Sequence, residues 1–237
     1  DFNAEMELEQ GDGSPKQKHA VVLIVQKVLE AAKAKKWGLC RQHDFIYCYN
    51  AKYWQVIDKD ELKAFLGEAA EKMGYKSLEA RYHRFRDELY KQFLCAALLP
   101  APPIDKDRVL INLINGTFHI TSSKQDLRPH KESDFLRYIL PFEYDRAATC
   151  PTFFKYLERV LPDSETRDVL AEYIGYVFTR NLKLEKLLLL YGSGANGKSV
   201  FFEVINALLG TENISNYSLS SLGEEHNRAQ IINKLLN

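Results

Sequence analysis

The sequence predicts an α/β chain with α+β character: an N-terminal α+β module, then a helical hairpin, then a strand, a glycine-rich loop and a helix. Three observations predict this order. Two pairs of β-rich runs are each joined by a short turn, two amphipathic segments follow Pro151, and the apolar run 187–190 leads through glycines into a third amphipathic segment. Alternating strand and helix signals of this kind favour a layered protein with a buried core.

The first half of the chain opens with an acidic stretch. Residues 1–15 carry five acidic side chains, two glycines and a proline but no basic residue, which predicts a mobile acidic linker. From Lys16 the apolar residues share one helical face, although their β-branched members leave a strand as the alternative. These residues are Val21, Val22, Val25, Val28, Leu29 and Ala32.

A hairpin and two helices are predicted next. The runs 45–49 and 53–57 are joined by three residues, a loop length typical of hairpins. Asp58 forms a capping-box pattern with Glu61, and Ser77 is predicted to cap a second, longer helix. The predicted buried stripes are Leu62, Phe65, Leu66, Ala69 and Met73 for the first helix, and Leu78, Tyr82, Phe85, Leu89 and Phe93 for the second.

A second hairpin and a helical hairpin follow. The runs 109–114 and 117–121 flank Asn115-Gly116, the preferred pair for a type I′ turn. Pro151 suits the first turn of a helix, and Pro162-Asp163 breaks the helical pattern. We therefore expect two helices joined near residue 162.

The segment 192–199 matches the pattern GxxxxGK[ST] in full. The apolar run 187–190 before it predicts a strand buried on both faces, and the apolar residues after it have helical spacing until Gly210 supplies a C-cap. The residues expected to bind a nucleotide are Gly192, Ser193, Gly194, Ala195, Asn196, Gly197, Lys198 and Ser199.

These residue types suit ATP and Mg²⁺. Glycines allow backbone N–H groups to surround an anion, and the N-terminus of the following helix favours negative charge. Lys198 can reach the β and γ phosphates as the catalytic cation, and the Ser199 hydroxyl is the expected magnesium ligand. The alternative is a glycine-rich turn that binds nothing.

The formal net charge of the 237 residues is zero, so a case for nucleic acid must rest on local patches. Arg81, Arg84 and Lys91 lie in a predicted helix with interleaved tyrosines and are candidate contacts to a phosphate backbone. The alternative is a solvated face with internal ion pairs, because acidic residues are mixed in.

Cysteine usage and hydropathy argue against a disulfide-rich protein and against a membrane-spanning one. The four cysteines form no dense framework, which predicts a reduced, intracellular protein. Since no apolar run approaches the length needed to cross a bilayer, the sequence also predicts no membrane span. Cys40, His43 and Cys48 include zinc-ligand types but lack a fourth ligand, so the sequence favours a structural role for them.

Four segments resemble the phage and plasmid primase-helicase proteins, which join a poxvirus-type N-terminal module to a superfamily 3 helicase. They are INLINGTFHI at 111–120, LRPH at 127–130, LPFEYDRAATCPTFFKYLERVL at 140–161 and LLLLYGSGANGKSVFFEVINALLG at 187–210. The residues 226–237 are similar to the approach to the family's second acidic motif. The resemblance covers roughly residues 40–237 and supports a helicase reading of the loop.

This resemblance implies an AAA+-like, ATP-hydrolysing DNA helicase that assembles as a hexameric ring on single-stranded DNA. It also implies an upstream primase domain and a place in phage- or plasmid-type replication in the cytoplasm of a bacterial host. The expected domains are an acidic linker at 1–15, an α+β module at 16–144, a helical collar at 145–180 and a truncated P-loop domain at 181–237.

The family's acidic, sensor and arginine-finger motifs are expected to follow Asn237, and the chain does not begin with methionine. We therefore expect a fragment that does not hydrolyse ATP or unwind DNA alone. Two alternatives remain: a non-enzymatic DNA-binding or oligomerisation module, and a P-loop NTPase unrelated to nucleic acid.

Overall fold

The computed structural model describes residues 17–42, 45–97, 107–179, 184–218 and 220. The chain divides into two compact units, Asp1–Pro102 and Pro103–Asn237. The predicted linker at 1–15 and the segment 226–237 lie outside the described residues, and the predicted four-part division stays a prediction. Within the described ranges, the helices are all too short or too polar to cross a membrane.

The described part of the first unit begins with a helix and a small antiparallel sheet. Helix α1 spans Gln17–Ala34, which confirms the helical alternative for this segment. Strands β1 (Leu39–Gln42), β2 (Phe45–Tyr49) and β3 (Trp54–Ile57) pair in the order β1-β2-β3. The predicted hairpin between the last two strands is confirmed, and β1 is an addition that the sequence analysis missed.

Three more helices are described in this unit: α2 (Lys59–Lys72), α3 (Ser77–Arg81) and α4 (His83–Ala96). The Asp58 carboxylate accepts hydrogen bonds from the backbone N–H groups of Asp60 and Glu61, at 2.7 and 3.2 Å. These bonds satisfy two of the donors that a helix N-terminus leaves unpaired, so Asp58 is the N-cap that the sequence predicted.

The core of the first unit lies between helices α1, α2 and α4. Its fully buried members include Ile24 and Val25 of α1, Leu66 of α2, and Leu89 and Phe93 of α4. The buried residues of each helix recur at intervals of three or four positions, as do Val21, Val25 and Val28 of α1, and so they share one face. Burial of these apolar faces is the main force that holds the helices together.

The prediction of one long helix capped by Ser77 is wrong. The helix is interrupted at Tyr82, whose ψ of 129° is not helical. The N-cap position of α3 is occupied by Lys76 rather than Ser77. The Nε atom of Arg86 donates to the carbonyl oxygen of Ala80 across this break, at 3.2 Å. This interruption changes the direction of the chain, so that Phe85 is buried in the core while the side chain of Leu78 is 85% exposed.

The stripe predicted for α2 is also wrong at Phe65, which is 45% exposed. The buried face of this helix instead carries Leu62, Leu66 and Ala70, each four residues apart. Adjacent helical residues are rotated by about 100°, so Phe65 lies at the edge of the face that Leu66 buries.

The described part of the second unit begins with strands β4 (Arg108–Leu113), β5 (Gly116–Thr121) and β6 (Gln125–Arg128), which pair in that order. The predicted hairpin is confirmed, but its turn differs. Leu113 pairs with Gly116, so Ile114 and Asn115 form the turn, and neither has the positive φ of a type I′ turn. Gly116 itself has φ 153°, and a Cβ there would lie 2.6 Å from the carbonyl oxygen of Arg128.

A buried polar network joins this sheet to the following loop. The Nδ2 group of Asn112 donates to the carbonyl oxygen of Tyr138 at 2.8 Å, and its Oδ1 accepts from the Thr117 hydroxyl at 3.1 Å. Asn112 and Thr117 are almost completely buried. Because both polar ends of the amide have partners, its burial is tolerated.

The two helices predicted on either side of Pro162 are confirmed as α5 (Pro151–Val160) and α6 (Ser164–Val177). The third helix of the unit, α7, spans Lys198–Leu209 and ends at Gly210, as predicted. The short helical turns Glu132–Asp134 and Thr211–Asn213 lie in the connecting segments.

The predicted buried strand at 187–190 is wrong in this structure. These residues are not in a strand, and Leu187 and Leu189 are 88% and 79% exposed. A parallel strand is buried only when neighbouring strands and covering helices surround it. Among the described residues of the second unit, the only named strands are those of the β4-β5-β6 sheet, and none of them pairs with this run.

Candidate phosphate-binding loop

The glycine-rich segment forms a loop that leads directly into helix α7. Gly197 occupies the N-cap position with φ 86°, a left-handed conformation that favours glycine. Gly192 has φ 156°, and a Cβ at this position would collide with the Nδ2 atom of Asn196. Two of the motif's glycines are therefore required by the observed backbone, as the sequence pattern predicted.

The ammonium group of Lys198 lies over this loop and contacts three of its oxygen atoms. Its Nζ is 2.9 Å from the carbonyl oxygen of Gly192, 3.2 Å from that of Ser193 and 2.6 Å from Oδ1 of Asn196. The side chain thus holds its positive charge at the loop instead of extending into solvent. The role of Asn196 as a partner of Lys198 was not predicted, because the motif leaves its residue type free.

At the N-terminus of α7, the first backbone N–H groups have no acceptor among the residues that the structure describes. The helix's first internal hydrogen bond runs from the N–H of Phe201 to the carbonyl oxygen of Gly197, at 3.0 Å. The N–H groups of Lys198, Ser199 and Val200 precede it and have no acceptor within the helix. With the helix dipole and the Lys198 charge, they form a site suited to an anion.

Helix α5 packs against the loop at Gly197. The hydroxyl of Tyr156 donates a hydrogen bond of 2.6 Å to the Gly197 carbonyl oxygen. A Cβ at Gly197 would lie 2.9 Å from the Val160 side chain and 3.1 Å from the Tyr156 ring. The contact between Tyr156 and Gly197 was not predicted, because no local sequence pattern relates residues 41 positions apart.

The remaining predicted loop residues are open to solvent. Ser193, Gly194, Ala195 and Ser199 are exposed, and Ala195 adopts a left-handed φ of 58°. A Cβ at Gly194 would meet nothing within 4 Å, so its glycine is not required by packing here. Ser199 lies in the first turn of α7.

The three basic residues predicted to contact nucleic acid belong to the first unit, and the loop belongs to the second. Arg81 forms an ion pair with Glu71, with Nε 2.6 Å from Oε1. The hydrogen bond from Arg81, together with one from Ser77, lowers the pKa of Glu71. Arg84 and Lys91 are exposed and lie seven residues apart on α4, which places them on one side of the helix.

The structure describes only Cys40 and Cys48 of the three candidate zinc ligands, so the zinc alternative is untested. The described residues contain no cluster of three metal-ligating side chains, and His43 lies outside them. All four cysteines are free thiols. Burial raises the pKa of the Cys48 thiol.

The fold and the loop together define the class of protein. It is an α+β protein of small antiparallel sheets and helices, in which a glycine-rich GxxxxGKS loop leads into the N-terminus of a helix. Residues 26–162 match the protein family described as D5 N terminal like. The match covers more than half of the chain, and the chain belongs to this family. It is therefore a primase-helicase-related protein, in a DNA replication context. The matched segment ends before the glycine-rich loop but includes Tyr156 and Val160.

Proposed function

We propose that this chain is part of an ATP-dependent DNA helicase of the primase-helicase kind, used in phage- or plasmid-type DNA replication. Its glycine-rich loop would bind ATP with Mg²⁺. The observation that carries the proposal is the position of Lys198, whose ammonium group lies over a loop of complete GxxxxGKS sequence at a helix N-terminus. Membership of a primase-helicase-related family supports the same reading.

The residues of the loop fit a nucleoside triphosphate. Lys198 supplies a cation, and the free N–H groups of the first turn of α7 supply donors for phosphate oxygens. The Ser199 hydroxyl suits Mg²⁺, which is commonly held by one or two protein oxygens together with phosphates and water. Bound Mg²⁺ would neutralise charge that develops on the phosphates.

Lys198 must exchange partners to act in this way. Its three present acceptors are neutral carbonyl and amide oxygens, whereas a phosphate offers charged ones. The ammonium group makes charge-assisted hydrogen bonds in both cases, but a phosphate adds the attraction between opposite charges, so a phosphate would displace the loop oxygens. In a hexamer, ATP turnover at subunit boundaries would then move a DNA-contacting loop along a single strand.

A titration with a fluorescent ATP analogue and Mg²⁺ tests the nucleotide site. The 237-residue chain is compared with its Lys198→Ala variant, and Lys131→Ala removes the same charge elsewhere in the second unit. We expect wild type and Lys131→Ala to bind, and Lys198→Ala to lose about tenfold or more of its affinity. Equal binding by all three proteins, or none by wild type, would contradict the proposal.

DNA binding is the second part of the proposal. Arg84 and Lys91 are the better candidates on α4, because the guanidinium of Arg81 already pairs with Glu71. Each phosphate contact to single-stranded DNA contributes about 0.7 to the slope of log affinity against log salt concentration. We therefore expect the double variant Arg84→Ala/Lys91→Ala to reduce that slope by about 1.4, and Arg81→Ala to change it less.

A further inference from the structure

We propose that Tyr156 is a positioning residue of the glycine-rich loop: its hydroxyl fixes Gly197 and so sets where Lys198 and the first turn of α7 meet the phosphates. This inference rests on the nucleotide-binding function proposed above. It concerns helix α5, to which neither the motif nor the family match gives a role at the loop.

The Gly197 carbonyl oxygen is held from two sides. It accepts the first helical hydrogen bond, from the N–H of Phe201 at 3.0 Å, and a second from the Tyr156 hydroxyl at 2.6 Å. A carbonyl oxygen has two lone pairs, so both bonds form without competition. The tyrosine therefore anchors the residue at which the loop becomes a helix.

Packing reinforces this hydrogen bond. Tyr156 and Val160 are four residues apart on α5, and both lie so close to Gly197 that even a methyl group there would be crowded. The loop residue thus contacts a helix face and is only partly exposed to solvent. Helix α7 is itself anchored by Phe201, which is buried one turn after Gly197.

The position of Gly197 matters because Lys198 and Ser199 follow it directly. A rotation of the Gly197 peptide would turn the N–H of Lys198, and with it the donors that face an anion. Preorganised donors bind a charged group more tightly than donors that must be ordered on binding. Loss of the tyrosine hydroxyl should therefore weaken phosphate binding while the fold persists.

The test uses Tyr156→Phe in the full 237-residue chain, with Tyr138→Phe as a matched control. Tyr138 also donates its hydroxyl to a backbone carbonyl, that of Leu110 at 3.0 Å, but at the β-sheet of the same unit. Both variants keep the aromatic ring. Thermal unfolding, monitored by circular dichroism, checks that each variant is folded.

Two readouts separate positioning from general stability. Amide hydrogen exchange of peptides covering 192–201 should rise in Tyr156→Phe without ligand and remain unchanged in Tyr138→Phe. Affinity for a fluorescent ATP analogue with Mg²⁺, and for inorganic tripolyphosphate, should fall about two- to tenfold in Tyr156→Phe alone, the range of one neutral hydrogen bond.

The outcomes distinguish this inference from the function on which it rests. Wild-type affinity and exchange in Tyr156→Phe, with binding lost in Lys198→Ala, would overturn the role of Tyr156 and leave the nucleotide site standing. A wild-type chain that binds neither probe would overturn both proposals. A similar loss of affinity in Tyr138→Phe would show a general stability effect and would also overturn the inference.

Discussion

The Nζ atom of Lys198 lies 2.6 Å from the Oδ1 atom of Asn196, within the same glycine-rich loop. The amide is a neutral acceptor, so it holds the lysine without adding charge to the loop that we propose binds an anion. The identity of residue 196 should therefore matter, although the sequence motif does not specify it.

Asn196→Asp should weaken binding of the ATP analogue by about tenfold or more, because a carboxylate would both pair with Lys198 and repel the phosphates. Fluorescence titration measures the affinity. Gln125→Glu adds the same charge on an exposed part of the β6 strand and should bind as wild type does. Unchanged affinity in Asn196→Asp would show that phosphate groups do not occupy this loop.

Two adjacent residues of α2 test which face of the helix supports the core of the first unit. Leu66 is fully buried, whereas Phe65 is 45% exposed. Leu66→Ala should lower the free energy of unfolding by about 2–5 kcal/mol, through lost burial and a cavity. Phe65→Ala should cost less than about 1 kcal/mol, although it removes more atoms. Urea denaturation measures both values, and the reverse order would contradict the described packing.

The buried amide of Asn112 should stabilise the second unit. Asn112→Ala would leave the Tyr138 carbonyl oxygen and the Thr117 hydroxyl without this partner inside the protein. We expect a loss of about 1–3 kcal/mol in the free energy of unfolding. Asn115→Ala is the comparison, because its two bonds to the Tyr144 backbone are exposed to water. A larger loss for Asn115→Ala would refute this account of the network.

The N-cap of α6 predicts a dependence of stability on pH. The Asp163 carboxylate accepts hydrogen bonds from the side chain and the backbone N–H of Thr166, and these lower its pKa. A pKa below that of the unfolded chain means that the carboxylate stabilises the fold at neutral pH. This contribution is lost as the pH falls below about 4, through the lowered pKa.

Thermal unfolding of wild type and Asp163→Asn across pH 3–7 measures this contribution. The stability advantage of wild type should be constant at pH 6–7 and should shrink as the solution becomes more acidic. An advantage that grows on acidification would have the wrong sign for a carboxylate whose pKa is lowered by folding.

Local chemistry explains what the sequence predicted well. The carboxylate of Asp58 and the run that follows it mark a helix start, Pro162-Asp163 separates two helices, and Gly210 ends the last one. Each signal acts through its own backbone or through residues three or four positions away. Such signals hold in almost any tertiary context.

Predictions that depended on distant partners were less accurate. Leu78 and Phe65 have the right periodicity for a core, yet the break at Tyr82 and the packing of α2 leave them exposed. The apolar run 187–190 has strand-like composition, but no strand pairs with it among the described residues. Periodicity tells which residues share a face, and only neighbouring elements decide whether that face is covered.

The sequence by itself determined the glycine-rich loop, the helix that begins at Lys198 and the reason for glycine at 197, because these depend on backbone conformation within a few residues. Only the tertiary structure decided that Tyr156 of α5 holds the Gly197 carbonyl and that Arg81 is engaged by Glu71. Contacts between residues distant in the chain arise from how apolar faces pack, and packing is a property of the whole unit rather than of any local pattern.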